Sequence, residues 1–176
     1  MIIAAVIPLL LERGRDVTSK QIAEAAGIAE GTIFRAFGDK ESLIAAAVDR
    51  YFDPLELHEA LRGIDPALPL EDKLRAILLL MTERFQGAIR MMAAIGGERP
   101  ATAGDERHEF AQLIGQLLEL HDDQLNIPPE RVAHFIRLIA FATAIPQFSE
   151  SLDFSVDELV MLLKQGIAGR ATAERN

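Results

Sequence analysis

The sequence predicts an all-α protein, and three observations carry that prediction. Alternating runs of Val, Ile, Thr or Tyr bounded by Asn-Gly or Asp-Gly turns, the signature of strands, are nearly missing. Apolar residues recur instead at helical spacing along most of the chain. Gly14, Gly27 and Gly38 cut the N-terminal region into short pieces, each followed within a few positions by a helix-start signal.

The first expected helix runs from about Ile2 to Arg13. Its stretch MIIAAVIPLLLERG is apolar, but it has no basic leader and no small-residue cleavage site, and Pro8, Glu12 and Arg13 end the run too soon to span a bilayer. It reads as a core helix, and no membrane partner is expected. The second helix, Thr18 to Ala26, opens on a capping box, with Gln21 three residues after Thr18. Gly27 ends it, the third runs from Glu30 to Phe37, and Asp39 is a good N-cap for the fourth, Lys40 to Phe52. Ile22, Ala23, Ala26 and Ile28, then Ile33, Phe34 and Phe37, recur at helical spacing and can pack with Leu10, Leu43 and Ala47 into one small core.

The stretch DPLELHEALRGIDPALP, with Pro54, Pro66 and Pro69 as breakers, separates this lobe (1–50) from a second lobe (51–176) of longer helices. LEDKLRAILLLMTERFQGAIRMM runs to the break at Gly96 and Gly97, and DERHEFAQLIGQLLELHDDQL ends near Asn126. PERVAHFIRLIAFATAIPQF starts from Pro128 and Pro129, and SVDELVMLLKQGIAG opens on Ser155 as N-cap with Glu158 at the box position.

Composition narrows the function. At 176 residues, with 49% hydrophobic and 26% charged, the chain can bury a real core and is not a disordered sequence. It has no cysteine, which removes disulfides, thiolate nucleophiles and Cys-based zinc sites and suits a reducing cytoplasm, the expected location. Net charge is −9, which argues against nonspecific coating of nucleic acid or anionic membrane. The acidity is uneven: residues 1–50 carry six basic and seven acidic side chains, so about −8 of the −9 falls on the second lobe.

In the helix beginning at Pro129, the only charge from Phe135 to Phe148 is Arg137, and apolar residues cover every face. The chain's own core can cover one face. The other, Val132, Ile136, Ile139 and Thr143 by spacing, reads as a subunit interface. The last helix offers a matching stripe in Leu159, Val160, Leu163 and Ile167, so two copies would form a four-helix interface, with an internal hairpin in a monomer as the alternative. Leu78, Met81, Phe85, Met92, Phe110, Leu113, Leu117 and Phe141 either line an apolar cavity between helices or fill an ordinary core.

The most specific signal is TSKQIAEAAGIAEGTIFRAF, from Thr18 to Phe37. Two short helices joined by a glycine-bearing turn make a helix-turn-helix, whose second helix fits the DNA major groove. Gly31, near the start of that helix, removes a side chain where the backbone must come close to something, and DNA phosphate is the natural candidate.

Residues 2–50 resemble the DNA-binding domain of the TetR family of transcription regulators. The match is carried by IIAAVIPLLLERG, then Thr18, Ile22, Ala23, Ala26, Gly27 and Ile28, then Gly31 through Phe37 with Lys40, Glu41 and Leu43. The resemblance implies that Thr18 caps its helix and touches phosphate, that Ala29, Glu30, Gly31 and Thr32 face the groove, that Phe34 and Arg35 lie along its wall, and that Lys40 holds a phosphate. Ala29, Phe34 and Ala36 stand where many relatives have serine, tyrosine and histidine, so phosphate anchoring leans on Thr18, Ser19, Lys20, Lys40 and backbone amides. Arg35 can pair with guanine or lie on phosphate, Glu30 can accept from cytosine or simply favour the helix N-terminus, and Phe34 is core or interface. The resemblance also implies a homodimer on a palindromic DNA operator, a small hydrophobic effector bound in the second lobe, and a basic arm upstream of Met1.

No cofactor, metal or catalytic role is expected. His58, His108, His121 and His134 form no i, i+3 or i, i+4 pair, and nothing resembles a nucleophile elbow or phosphate loop. The expected function is therefore a ligand-responsive DNA-binding regulator, which the resemblance implies to be a repressor; the rival from another class is a helical ligand-binding or enzymatic protein whose first lobe no longer binds DNA.

Overall fold

The structure is a computed structural model that describes residues 1–97, 106–146 and 154–167, of which 106, 107 and 167 are described by backbone alone. Every regular element longer than a turn among these residues is an α-helix. In chain order they are α1 (Ile2–Arg13), α2 (Ser19–Ala26), α3 (Glu30–Phe37), α4 (Lys40–Phe52), α5 (Leu55–Arg62), α6 (Leu70–Ala94), α7 (Glu106–Leu118), α8 (Pro129–Ala144) and α9 (Val156–Ile167). Two 3₁₀ turns, Gly14–Asp16 and Glu119–Gln124, follow α1 and α7.

The described residues fall into two compact units. The first takes Met1–Asp53 and, further on, 87–97; the second takes Pro54–Gln86 and the described residues beyond 105. The 25-residue α6 thus belongs to both.

In the first unit Val6, Leu10, Val17, Ile22, Ile33 and Leu43 build a core closed by Met91 and Ile95 from the end of α6. Two close approaches hold that end. Gly14 lies at φ +60, a left-handed conformation that costs a side-chain-bearing residue strain, and a Cβ there would come within 2.6 Å of the Ala94 carbonyl oxygen. Next to it Arg15 donates from Nε to the Ile95 carbonyl at 3.0 Å, a cation placed where the end of a helix leaves carbonyls unpaired.

The second unit buries Leu61, Leu74, Ile77, Leu78, Met81, Phe110 and Ile114 with α8 and α9 residues. One charge lies in that unit's interior: Lys73 is fully buried, with its ammonium donating to the Leu117 carbonyl at 3.0 Å, in the last turn of α7. Loss of solvent pushes its pKa down, opposed by the charge of Asp65. At the start of α9 the expected capping box is present. Ser155 Oγ accepts from the Glu158 amide at 3.2 Å while the Glu158 carboxylate accepts from the Ser155 amide at 2.9 Å. These bonds from Ser155 hold the Glu158 carboxyl below its ordinary range.

Four expectations are corrected. The proline-bearing stretch contains a helix, α5, because Pro54 sits at its N-cap, where a missing N–H costs nothing. The α7 helix does not continue to Gln124 but tightens into the 3₁₀ turn after Leu118, where His121 bonds the Leu68 carbonyl at 3.1 Å. Residues 147 and 148, expected to end the helix that begins at Pro129, lie outside the described residues, as do 168 and 169.

The third correction concerns the interface face. Val132, Ile136, Val160 and Leu163 are fully buried within one chain, so they have no surface left to offer a second copy. Ile139 and Leu159 are half-buried against the same core, and Thr143 turns its hydroxyl to the Ile139 carbonyl at 3.0 Å and to Thr82. The side chain of Ile167 lies outside the described part. What α8 and α9 expose is a different set: Phe135, Leu138 and Phe141 on α8, Met161 and Leu162 on α9, with Phe154 just before it.

The fourth concerns Met92 in the apolar lining. Leu78, Met81 and Phe110 are buried in the second unit's core with Phe85, Leu113 and Leu117 packed against it, whereas Met92 belongs to the first unit. Phe141 is half-exposed and meets Phe85 edge-on, with ring centroids 5.3 Å apart, while the Arg137 guanidinium lies 5.8 Å over the Phe85 ring.

The contact at Gly14 gives a direct stability test. Gly14→Ala is expected to lower the unfolding free energy by about 2 kcal/mol or more, since strain at positive φ adds to a backbone collision. Urea denaturation measures it, and an unchanged midpoint would contradict the close approach.

Candidate nucleic-acid interface

The local geometry of α2 and α3 follows from their ends. Thr18, in extended backbone, accepts from the Gln21 amide at 3.2 Å, and the Gln21 side chain accepts from the Thr18 amide at 2.9 Å. At the other end Gly27 stands in the left-handed region, φ 67 and ψ 34. Its amide donates to the Ala23 and Glu24 carbonyls, and the Ile28 amide donates to Ala23 at 3.0 Å. This back-bonded glycine turn ends α2 and redirects the chain within two residues.

The next helix starts at once. Ala29 is its N-cap and supplies no side-chain bond; its carbonyl accepts from the Thr32 amide at 2.8 Å, and no side chain caps the amides of Glu30 and Gly31. Only Ile33 of α3 is buried. Glu30, Gly31, Phe34 and Arg35 are exposed and Thr32 is half-buried, which places 30, 31, 34 and 35 together on the outer face by helical spacing. Phe34 is thereby assigned to the surface, with 46% of its area accessible.

Gly31 is the residue the fold does not explain. A Cβ built on it meets nothing within 4 Å, and its helical backbone does not require glycine. In a helix an unneeded glycine costs roughly 0.5–1 kcal/mol relative to alanine.

The expected phosphate contacts are arranged around this face. Thr18 and Lys20 are exposed, Ser19 is half-buried, and Thr18 spends its hydroxyl oxygen on the cap while keeping its own proton to donate. Lys40, half-buried, donates to the Arg15 carbonyl at 3.1 Å and lies 3.7 Å from Glu41. Arg15 pairs with Glu41 at 2.9 Å. Asp39 caps α4 by accepting from the Ser42 amide at 2.7 Å, and that bond holds its carboxyl below the usual value. The Arg15–Glu41–Lys40 group was not anticipated from sequence, because its members meet only once the first turn and α4 pack together.

A short helix held by one buried side chain, with its outer face bare, defines the class: an all-α protein with an N-terminal helix-turn-helix. The family described as bacterial regulatory proteins, tetR family, matches residues 2–47. The match spans the helix-turn-helix and the helices packed around it. Comparison of the whole chain with solved structures gives the same architecture. A TetR-family transcriptional regulator from Vibrio parahaemolyticus is 22% identical, with 96% of this chain and 97% of that one covered and a TM-score of 0.61. A TetR regulator from Streptomyces coelicolor is also 22% identical, covering 97% and 98%, with a TM-score of 0.63. NalD, the secondary repressor of a multidrug efflux pump in Pseudomonas aeruginosa, is 21% identical, covering 95% and 93%, with a TM-score of 0.52. At such identities the likeness establishes the fold of TetR-family regulators. A comparison with curated proteins gives no match. Among the described residues no helix is long and apolar enough to cross a membrane, and no three metal-ligating side chains come together.

The two unusual features of the pair behave oppositely on substitution. Thr18→Ala is expected to cost about 1 kcal/mol, the value of a lost cap. Gly31→Ala is expected to leave stability unchanged or raise it by up to about 1 kcal/mol. Urea unfolding of both variants checks this, and destabilisation by Gly31→Ala would mean that the residue has a role in the fold.

Proposed function

We propose that this protein is a transcriptional regulator that binds a palindromic operator as a homodimer through α3, represses the adjacent gene, and is released by a small hydrophobic effector bound in the second unit. The observation that carries the DNA reading is Gly31, a glycine that neither backbone geometry nor neighbouring atoms of the chain call for, on the outer face beside Arg35. Close approach of a phosphate backbone to a helix N-terminus is the need such a glycine meets. Arg35, four residues further along that face, reads guanine or pairs with phosphate, and Thr32 offers its methyl to thymine. Lys20, Ser19 and Thr18 stand at the start of α2 as phosphate donors, with Lys40 at the start of α4.

One α3 is too short to specify a site alone. Two copies related by a two-fold axis read half-sites about one helical turn apart. The surface for pairing is the exposed apolar face of α8 and α9. Leu138, 67% accessible, and its neighbours Phe135 and Phe141 are large side chains that a second copy would cover. The effector reading draws on the apolar composition of the second unit around Leu78, Met81, Phe85 and Phe110, and on α6, whose residues are shared between the unit that would bind effector and the unit that would bind DNA. An effector that favours one conformation of that helix changes operator affinity by its differential affinity for the two.

Selection from random duplexes, followed by titration across a salt series, tests the DNA reading. The selected site is expected to be an inverted repeat whose binding weakens with salt, and Arg35→Ala and Gly31→Ala are each expected to lose about tenfold or more in affinity, about 1.4 kcal/mol. Recovery of no specific sequence would leave the helical ligand-binding alternative in its place. For the pairing surface, Leu138→Glu is expected to convert a dimer to a monomer by light scattering while circular dichroism keeps its helical signal. A dimer that survives this change moves the interface off α8.

A further inference from the structure

Among the described residues one buried side-chain atom has no hydrogen-bond partner, and it is Nε2 of His58. The side chain lies on α5, and the residue is 1% accessible. Its chain neighbours Leu57 and Leu61 pack into the second unit's apolar core, which fixes the ring at the wall of that core. The other ring nitrogen, Nδ1, stands 3.2 Å from Oε1 of Glu109 on α7, a half-exposed carboxylate that also lies 3.8 Å from Arg62. The two nitrogens of an imidazole point in nearly opposite directions. With Nδ1 turned to the rim carboxylate, Nε2 points away from it and is buried.

A carboxylate only accepts, so the proton sits on Nδ1, and in the neutral ring Nε2 presents a bare lone pair to the interior. A second proton, on Nε2, would bury an N–H with no acceptor, so the form that fits these contacts carries its proton on Nδ1 alone. Buried polar atoms without partners are rare and mark a place where something other than the chain completes the bonding.

We infer that His58 is the polar anchor of the effector site, and that the effector is an apolar molecule bearing a hydrogen-bond donor, a hydroxyl or N–H, which donates to Nε2. The inference rests on the effector reading above and adds the chemical class. The Glu109 contact holds the ring and its tautomer, and Arg62 holds Glu109. A metal in this place is not supported, because no group of three ligating side chains forms among the described residues.

The test uses the full chain and matched hydroxyl/methyl pairs of graded size: 1-naphthol with 1-methylnaphthalene, 4-phenylphenol with 4-methylbiphenyl, and 1-decanol with undecane. Calorimetric titration is expected to show the hydroxyl member of at least one pair binding about five- to tenfold more tightly than its methyl partner, the range of one net hydrogen bond. In His58→Leu both members should bind alike, and His58→Gln should retain part of the preference. Binding without preference in the unsubstituted protein, or a preference that survives His58→Leu, overturns the anchor and leaves the apolar site standing. Failure of every pair to bind overturns the effector reading and the anchor with it. Should His58→Leu not fold, the ¹⁵N resonance of His58 Nε2 decides: it is expected to move when the bound hydroxyl compound is added, and a fixed resonance contradicts the inference.

Discussion

The αL conformation at Gly27 is the constraint on which the reading of this molecule depends. Its amide bonds back to Ala23 and Glu24, the Ile28 amide follows to Ala23, and the chain leaves α2 in a direction set by those bonds. With α3 positioned this way, a single buried side chain, Ile33, suffices to hold it against the first core. Phe37 packs part of its ring against the same core, and residues 30, 31, 34 and 35 are released from packing duty. A helix so lightly anchored would be marginal by itself, and it persists because the turn before it and the core beneath it are rigid. The bare outer face is therefore a consequence of strong local geometry on its inner side.

A second constraint acts further along. The end of α6 is enclosed by residues of the first unit: the Ala94 carbonyl lies where only a glycine at position 14 leaves room, and the Ile95 carbonyl accepts from Arg15. Arg15 at the same time pairs with Glu41 at the start of α4, and its own carbonyl accepts from Lys40. One exposed arginine thus joins the first turn, the start of α4 and the end of a 25-residue helix that begins in the other unit. A surface ion pair of this kind contributes little to stability alone, about 0–1 kcal/mol, so its weight lies in geometry.

The first lobe was legible because its boundaries are written in side chains that act locally. Thr18 with Gln21, Gly27, and Asp39 each make a bond within three or four residues, and the helices they delimit end where those bonds require. The second lobe was less legible for reasons of the same physics. Pro54 reads as a breaker until it is seen at a helix N-cap, so α5 and the buried His58 were hidden in what looked like a connection. On α8, apolar residues cover every face, and periodicity cannot say which face is core. The buried face is built with small residues, Ala133, Ala140 and Ala144 beside Val132 and Ile136, while the larger Phe135, Leu138 and Phe141 are left outside. Close packing of helices favours small side chains where backbones approach, a choice that depends on neighbours absent from a linear pattern. Met92 shows the same limit, since nothing along α6 marks where it passes from one unit to the other.

The central claim is that the outer face of α3 meets DNA, and amide chemical-shift mapping tests it most directly. A ¹⁵N-labelled sample titrated with the selected duplex should show its largest perturbations at the amides of 29–35 and at the start of α2, with those of the second unit moving far less. Shifts concentrated elsewhere, with 29–35 unmoved on a duplex that binds, would contradict the account.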